Sequence, residues 1–223
     1  MTLKRVLEPE IMDTQLDARE YAVIDRTGAN AAFADILARE LNFRGGELAD
    51  LGSGACDLPV ALCRRIKGAR ITAVEMSPAM LRMASRKIAL HGFSSRIRLL
   101  RADAKATNLP GGSFDFVTCN NLVHHIARPG SIFREIARLC RPGGGFFIKD
   151  LSRPRTLAEL NEQVGACAAT DTPRQRELLR SSLRAALRPE EIAVYAKRAG
   201  LTGFKLSAAG GRHWQLHRPV TRA

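Results

Sequence analysis

The sequence predicts an α/β fold on a doubly wound, mostly parallel sheet of seven strands, and three observations predict it. Five short apolar strands alternate with helices between residues 47 and 150. A glycine-rich turn joins the first of these strands to the helix after it. Beyond Asp150 the periodicity turns helical, and the chain closes on two more strands. Alternation of this kind means βαβ units, which build parallel sheets with helices on both faces.

The elements follow in order. Met12–Tyr21 mixes acids with spaced apolar residues and reads as a loose helix. Asn30 is placed to cap a clearer helix, Ala31–Asn42, with Phe33, Ile36, Leu37 and Leu41 on one face and Gly45-Gly46 as its stop. Glu47–Leu51 is a strand, Ala55–Lys67 a helix and Ile71–Glu75 a second strand. Ser77-Pro78 starts a helix that runs to about His91, with Ser as N-cap and Pro at the first helical position. Ile97–Arg101, Phe114–Cys119 and Gly145–Asp150 are strands; the helix Ile132–Leu139 before the last of them stops at Pro142 and three glycines. Thr156–Gly165, Pro173–Leu187 and Pro189–Ala199 are helices, and Gly203–Ser207 and Arg212–Leu216 are the closing strands. Along Arg212–Leu216 the alternation puts Trp214 and Leu216 on one face, and His213 and His217 on the other. No metal site is expected there.

Composition excludes several classes. With 45% apolar and 26% charged residues the chain is an ordinary globular one. No apolar run approaches the ~18 residues of a membrane-spanning helix. The first residues are charged from Lys4 to Glu20 with no apolar stretch, so no secretory signal is expected. The five cysteines form no C-x-x-C pair, so free thiols in a reducing cytoplasm are expected. The net charge of +13 raises affinity for polyanions.

The most informative stretch is Leu48-Ala-Asp50-Leu-Gly52-Ser-Gly54-Ala-Cys56-Asp57-Leu58, between a strand and a helix. Its glycines allow close approach of a ligand to the backbone. The helix behind it offers free N–H groups. At the end of the next strand stands Glu75, placed to accept both hydroxyls of a ribose. Together they point to an adenosine-containing ligand. A dinucleotide fingerprint would put glycine where Asp57 stands, and an acid there repels pyrophosphate. The turn suits a ligand without phosphates, which disfavours a nicotinamide dehydrogenase.

These residues resemble motif I of the class I S-adenosylmethionine-dependent methyltransferases, D/E-x-G-x-G-x-G, with Cys56 in place of the third glycine. The resemblance continues through Ala73-Val-Glu75-Met-Ser-Pro-Ala-Met80-Leu, Arg101-Ala-Asp103-Ala104, Phe114-Asp-Phe-Val-Thr-Cys-Asn120-Asn-Leu-Val-His124-His125-Ile, and Arg141-Pro-Gly-Gly-Gly145. The group it looks most like is the small-molecule branch, similar to the ubiquinone/menaquinone-type and "type 11" enzymes. It implies a Rossmann-like sheet with an antiparallel C-terminal strand, N-terminal helices and a helical insertion forming a lid. It also implies one domain: residues 1–45 as lid, 46–150 as cofactor-binding core, 151–200 as helical cap and 201–223 as closing strands. The implied cofactor is S-adenosylmethionine, leaving as S-adenosylhomocysteine. Gly52, Ser53, Gly54 and Cys56 would pass its methionine moiety and Asp50 would orient its ammonium. Glu75, beside Met76, would hold the ribose. Asp103 would accept from the adenine amino group, near the Ala104 N–H, and Asn120 would line the wall beneath the sulfonium.

Acid–base candidates sit at the carboxyl edge of the sheet, where such sheets bind ligands. His124 or His125 could remove the acceptor's proton or orient the acceptor, and Asp150 is a second candidate base. Tyr21 is a candidate closing residue over the cofactor. Arg176, Arg180, Arg184 and Arg188 form an i, i+4 stripe. It reads as a solvated face, as a cap that attracts an acidic acceptor, or as a nucleic-acid contact. Two other functions compete with a small-molecule methyltransferase. One is a nucleic-acid methyltransferase, suggested by the charge but lacking a [DN]-P-P-[YFW] motif at Asn120-Asn-Leu-Val. The other is a cofactor-binding protein without turnover. Which atom of the acceptor is methylated, and the oligomeric state, are not read from the sequence.

Overall fold

The computed structural model describes residues 2–8, 27–167 and 171–221. The expected helix Met12–Tyr21, with Tyr21, lies outside the described residues. Seven strands form one sheet: β1 (Gly45–Leu51), β2 (Gly68–Glu75), β3 (Ile97–Arg101), β4 (Phe114–Asn120), β5 (Cys140–Leu151), β6 (Lys205–Ala209) and β7 (His213–Arg218). Their order is β3-β2-β1-β4-β5-β7-β6. The first five are parallel, and β7 runs antiparallel between β5 and β6. The expected sheet is therefore the observed one.

The described helices are α1 (Thr27–Arg39), α2 (Asp57–Arg65), α3 (Pro78–Leu90), α4 (Gly130–Leu139), α5 (Leu157–Gly165), α6 (Pro173–Ala185) and α7 (Pro189–Arg198), with a short 3₁₀ turn at Val123–His125. The pleat sorts side chains onto two faces. Phe116 and Phe147 pack with Phe33 and Leu37 of α1, Leu58 and Leu62 of α2 and Ile88 of α3. Val117, Phe146 and Ile148, one residue out of phase, pack with Phe133 and Ile136 of α4, Ile192 of α7 and Trp214. Two apolar faces require helices on both sides, which is the doubly wound arrangement.

Local chemistry sets most boundaries. Ser77 caps α3, its hydroxyl accepting from the Met80 N–H at 3.3 Å. Thr156 accepts from the Glu159 N–H at 3.2 Å. Thr172 and Gln175 form a reciprocal capping box on α6. Three expectations are corrected. Asn30 does not cap α1: the helix begins at Thr27, and Asn30 is buried within it. That helix also ends three residues early, because Asn42 takes a left-handed backbone (φ 62°). The strand expected at Gly145–Asp150 begins earlier, at Cys140, and takes in the glycines after Pro142. The pairing with β4 shifts register between Phe114 and Phe116, and glycine absorbs that irregularity.

The N-terminal residues 2–8 form a strap across the C-terminal edge. The Leu3 N–H donates to Arg155 O at 2.8 Å and the Val6 N–H to Arg184 O at 3.1 Å. The Arg5 guanidinium donates to Ala185 O at 2.6 Å and to Ile126 O at 2.9 Å.

Gly145 is the tightest point of the bulge: an added Cβ would lie 2.4 Å from Phe116 Cε2 and 2.9 Å from Arg218 O. Gly145→Ala is expected to lower the unfolding free energy by about 1–3 kcal/mol. The measurement is a fall in urea midpoint with the slope unchanged. An unmoved midpoint would mean that the Phe116 ring relaxes at no cost.

Candidate functional site

β1 and β4 are neighbours, but the chain leaves them on opposite sides of the sheet. Their carboxyl ends open a crevice. A cavity of about 480 Å³ occupies it. Its walls come from the glycine turn, the ends of β2, β4 and β5, the 3₁₀ turn, α6 and β7.

The glycine turn is held by backbone and by one side chain. The Gly52 and Ser53 N–H groups both donate to Val74 O at 2.9 Å. Glu75 closes the turn: one carboxylate oxygen accepts from the Gly54 N–H at 2.9 Å, the other from the Met76 and Ser77 N–H groups at 2.8 Å. Gly52 has φ +74°, and a Cβ there would meet the Leu122 side chain at 2.8 Å. Cys56 also takes a left-handed backbone (φ 63°), ordinary for the glycine it replaces in the motif and strained for a cysteine. It is fully buried and does not line the cavity. Burial and the nearby Asp50 push its thiol up to about 12, so it stays protonated.

Asp50 lies beneath the turn, 2% exposed, accepting from the Thr118 hydroxyl at 2.7 Å. Burial, aided by the charge of Glu75, raises its carboxyl to about 7 against the Thr118 hydrogen bond. Gly52, Ser53, Gly54, Glu75, Met76, Asp103, Ala104 and Asn120 all line the cavity. The Asp103 carboxylate accepts from the Lys105 N–H at 2.8 Å and faces the Lys105 ammonium at 3.2 Å.

Opposite the glycine turn stand the acid–base groups. His124 and His125 both line the cavity; Asp150 does not. The Asp150 carboxylate is buried behind His124, accepting from the Val123 N–H at 2.6 Å, the Leu151 N–H at 2.6 Å and the His124 N–H at 3.3 Å. It also meets His124 Nδ1 at 2.5 Å. Asp150 thus lies behind His124 and not on the cavity wall. The sequence reading missed Glu8. Its carboxylate, brought in by the strap, lies 3.1 Å from His125 Nδ1 and 3.5 Å from His124 Nε2, and accepts from the Ser182 hydroxyl at 3.2 Å. The ligand atoms of Glu8, His124 and His125 fall within 4.8 Å of one another, a set that could hold a divalent cation. His213, also missed, lines the cavity, and burial with Lys149 and Arg212 nearby lowers its imidazole to about 4. Leu122, Ile126, Leu151, Leu178 and Leu179 form an apolar wall beside these groups.

The arginine stripe faces elsewhere. From α6 the cavity takes Gln175, Leu178, Leu179 and Ser182, and none of the four arginines. Arg176 donates to Asp171 O, Arg180 to Asn161 and Arg188 to Leu3 O and Pro154 O, so the stripe stitches α5, α6 and the strap together.

Comparison with known proteins agrees with this geometry. The type 11 family model, described as a methyltransferase domain, matches residues 49–148. The ubiquinone biosynthesis O-methyltransferase of Pseudomonas fluorescens is 31% identical over 163 residues, covering 73% of this chain and 67% of that protein. The enzyme of the same name from Xanthomonas oryzae is 28% identical, covering 77% and 69%. Among solved structures, an O-methyltransferase family protein from Burkholderia thailandensis superposes with a TM-score of 0.70 at 18% identity, over 93% of this chain and 61% of that one. A methyltransferase dependent on S-adenosylmethionine from Aquifex aeolicus gives 0.65 at 14%, over 92% and 98%. Both share the fold. Among the described residues no helix is long and apolar enough to cross a membrane.

Asp50 makes a testable contribution to stability. Its native carboxyl, near 7, keeps a proton that the unfolded chain, near 3.8, has released. The unfolded state therefore binds fewer protons in this window, and the Asp50 contribution falls as pH rises from about 4 to about 7. Asp50→Asn removes that slope. The stability difference between variant and parent, from urea unfolding, should move in favour of the variant across the window and level off above it. A difference independent of pH would mean that Asp50 ionises in the ordinary carboxylate range.

Proposed function

Because this chain belongs to the class I S-adenosylmethionine-dependent methyltransferases of the type 11 branch, and so transfers a methyl group to a small molecule, we propose that its acceptor is an ionisable hydroxyl on an apolar body. The carrying observation is the placement of His125 and the carboxylate-held His124 against the wall of Leu122, Ile126, Leu151, Leu178 and Leu179. An apolar wall holds a ring or chain, and the imidazole takes the hydroxyl proton. The O-methyltransferase names of the curated relatives point the same way.

The cavity fits the cofactor by its donor set. Asp50, Asp57, Glu75 and Asp103 line the end nearest the glycine turn, an acidic set that suits a cation and would repel phosphates. When bound, S-adenosylmethionine supplies an electrophilic methyl carbon and a neutral leaving group. Glu75 holds the ribose hydroxyls. Three of its about four acceptor positions are engaged by backbone N–H groups, so ribose binding releases at least one of them. Asp50 orients the ammonium through the turn, and Asp103 with the Ala104 N–H reads the adenine. The strap and α6 cover the acceptor end and exclude water.

Glu75→Ala is expected to weaken S-adenosylmethionine and S-adenosylhomocysteine binding by about 10- to 100-fold, the loss of one or two charge-assisted hydrogen bonds. Calorimetry reads this, with NAD as the control that shows no binding. A folded parent protein that binds neither sulfur compound would sink the cofactor assignment. Transfer of a tritiated methyl to phenols and enols, but not to amines or thiols of the same body, tests the acceptor class. Transfer only to amines or to RNA would overturn it.

A further inference from the structure

We infer that Glu8, delivered by the N-terminal strap, is a positioning residue of the reaction: it fixes His125 as the proton acceptor and helps to lock His124 as a support. The inference rests on the hydroxyl-acceptor reading above.

The two histidines are not equivalent. His124 is 4% exposed, and both ring nitrogens face carboxylates, Nδ1 at 2.5 Å from Asp150 and Nε2 at 3.5 Å from Glu8. Burial pulls its imidazole down, but Asp150 and Glu8 outweigh burial and hold it above the ordinary value. Burial pushes Asp150 up, and His124 with the Leu151 N–H outweighs burial and holds it below the ordinary carboxylate range. Both ring nitrogens of His124 are thus engaged by carboxylates, which leaves neither free for an acceptor.

His125 has only one nitrogen so engaged. Nδ1 lies 3.1 Å from Glu8 Oε1. Both atoms are buried, and neither has a hydrogen-bond partner among the described residues, so a hydrogen placed on Nδ1 serves both. With that hydrogen on Nδ1, the lone pair is on Nε2. The groups facing the pair are Glu8 and Arg5 from the strap, Asp150 from β5, His213 from β7 and Ser182 from α6. In the transfer, the acceptor O–H proton goes to His125 Nε2 and an oxygen lone pair forms the bond to the methyl carbon. The electron pair of the broken carbon–sulfur bond stays on sulfur. This is the carboxylate–imidazole–hydroxyl logic of hydrolytic triads, with the carboxylate on a separate segment.

The test compares parent, Glu8→Gln, Glu8→Asp and His125→Asn, each saturated with S-adenosylhomocysteine for spectroscopy. Nitrogen-15 shifts of the histidines should show the Nδ1–H tautomer of His125 in the parent and a tautomer mixture in Glu8→Gln. In turnover, Glu8→Gln should lower kcat about 10-fold or more with the acceptor KM little changed. Glu8→Asp should recover part of the loss, and His125→Asn should fall by about 100-fold or more, the range for a lost general base. An unchanged tautomer in Glu8→Gln would overturn the inference. So would turnover abolished by a chelator and restored by a divalent cation, which would make the same three side chains metal ligands. A parent that methylates no hydroxyl yet shows the Glu8-dependent tautomer would sink the acceptor class and leave the Glu8 assignment standing.

Discussion

One buried carboxylate organises the reactive half of the molecule. Asp150 sits at the end of β5 with its charge almost wholly removed from water. The desolvation of such a group costs several kcal/mol, and only good geometry on every lone pair offsets it. Here the backbone of the 3₁₀ turn supplies two N–H donors, β5 supplies a third, and His124 supplies the countercharge. The result couples three elements that the chain makes far apart. The 3₁₀ turn is pinned to β5, His124 is fixed in orientation, and through His124 the strap residue Glu8 acquires an electrostatic partner.

The sheet decides why this happens at the carboxyl edge. Parallel strands with right-handed crossovers put every βα turn on one side. The change of direction between β1 and β4 leaves a crevice there. The glycine turn after β1 and the His-His turn after β4 face each other across it. One half is acidic and built from backbone; the other is a pair of imidazoles between carboxylates. On the proposed reading, a cationic sulfonium ligand belongs with the first and an acceptor that loses a proton with the second.

Much of this was legible in the sequence, for reasons that differ by residue. The turn at Asp50–Gly54, the Glu75 strand end and the Ser77-Pro78 helix start are local: their chemistry depends on a few adjacent residues, and the structure keeps them as read. His124 and His125 were legible as a pair, but their division of labour depends on Asp150 and Glu8 and was not. Glu8 carried no signal. It stands alone in an irregular segment, and what makes it functional is the pairing of Leu3 with Arg155 and of Val6 with Arg184, contacts between opposite ends of the chain. Asn30 misled because an N-cap residue type was read without knowing that the preceding residues were already helical. The start of β5 was read late because the proline and glycines that stop a helix also mark an irregular, bulged strand.

Net charge misled in a further way. A chain at +13 suggests an anionic ligand, yet the cavity is lined by Asp50, Asp57, Glu75, Asp103 and Asp171 against Lys105 and Arg212. The arginines are engaged in stitching helices, strap and loops to one another: Arg5 to the 3₁₀ turn and α6, Arg96 to three carbonyls near β2, Arg153 to Ala186 and Glu191, and Arg188 to the strap. A guanidinium carries five donors in a fixed fork, so one side chain can satisfy several carbonyls that the loops leave without partners. Part of the positive excess is therefore engaged in joining elements of the fold, while the cavity lining itself carries more carboxylates than cationic side chains. Local field, not net charge, selects what enters, and the carboxylates around the glycine turn favour a cation there.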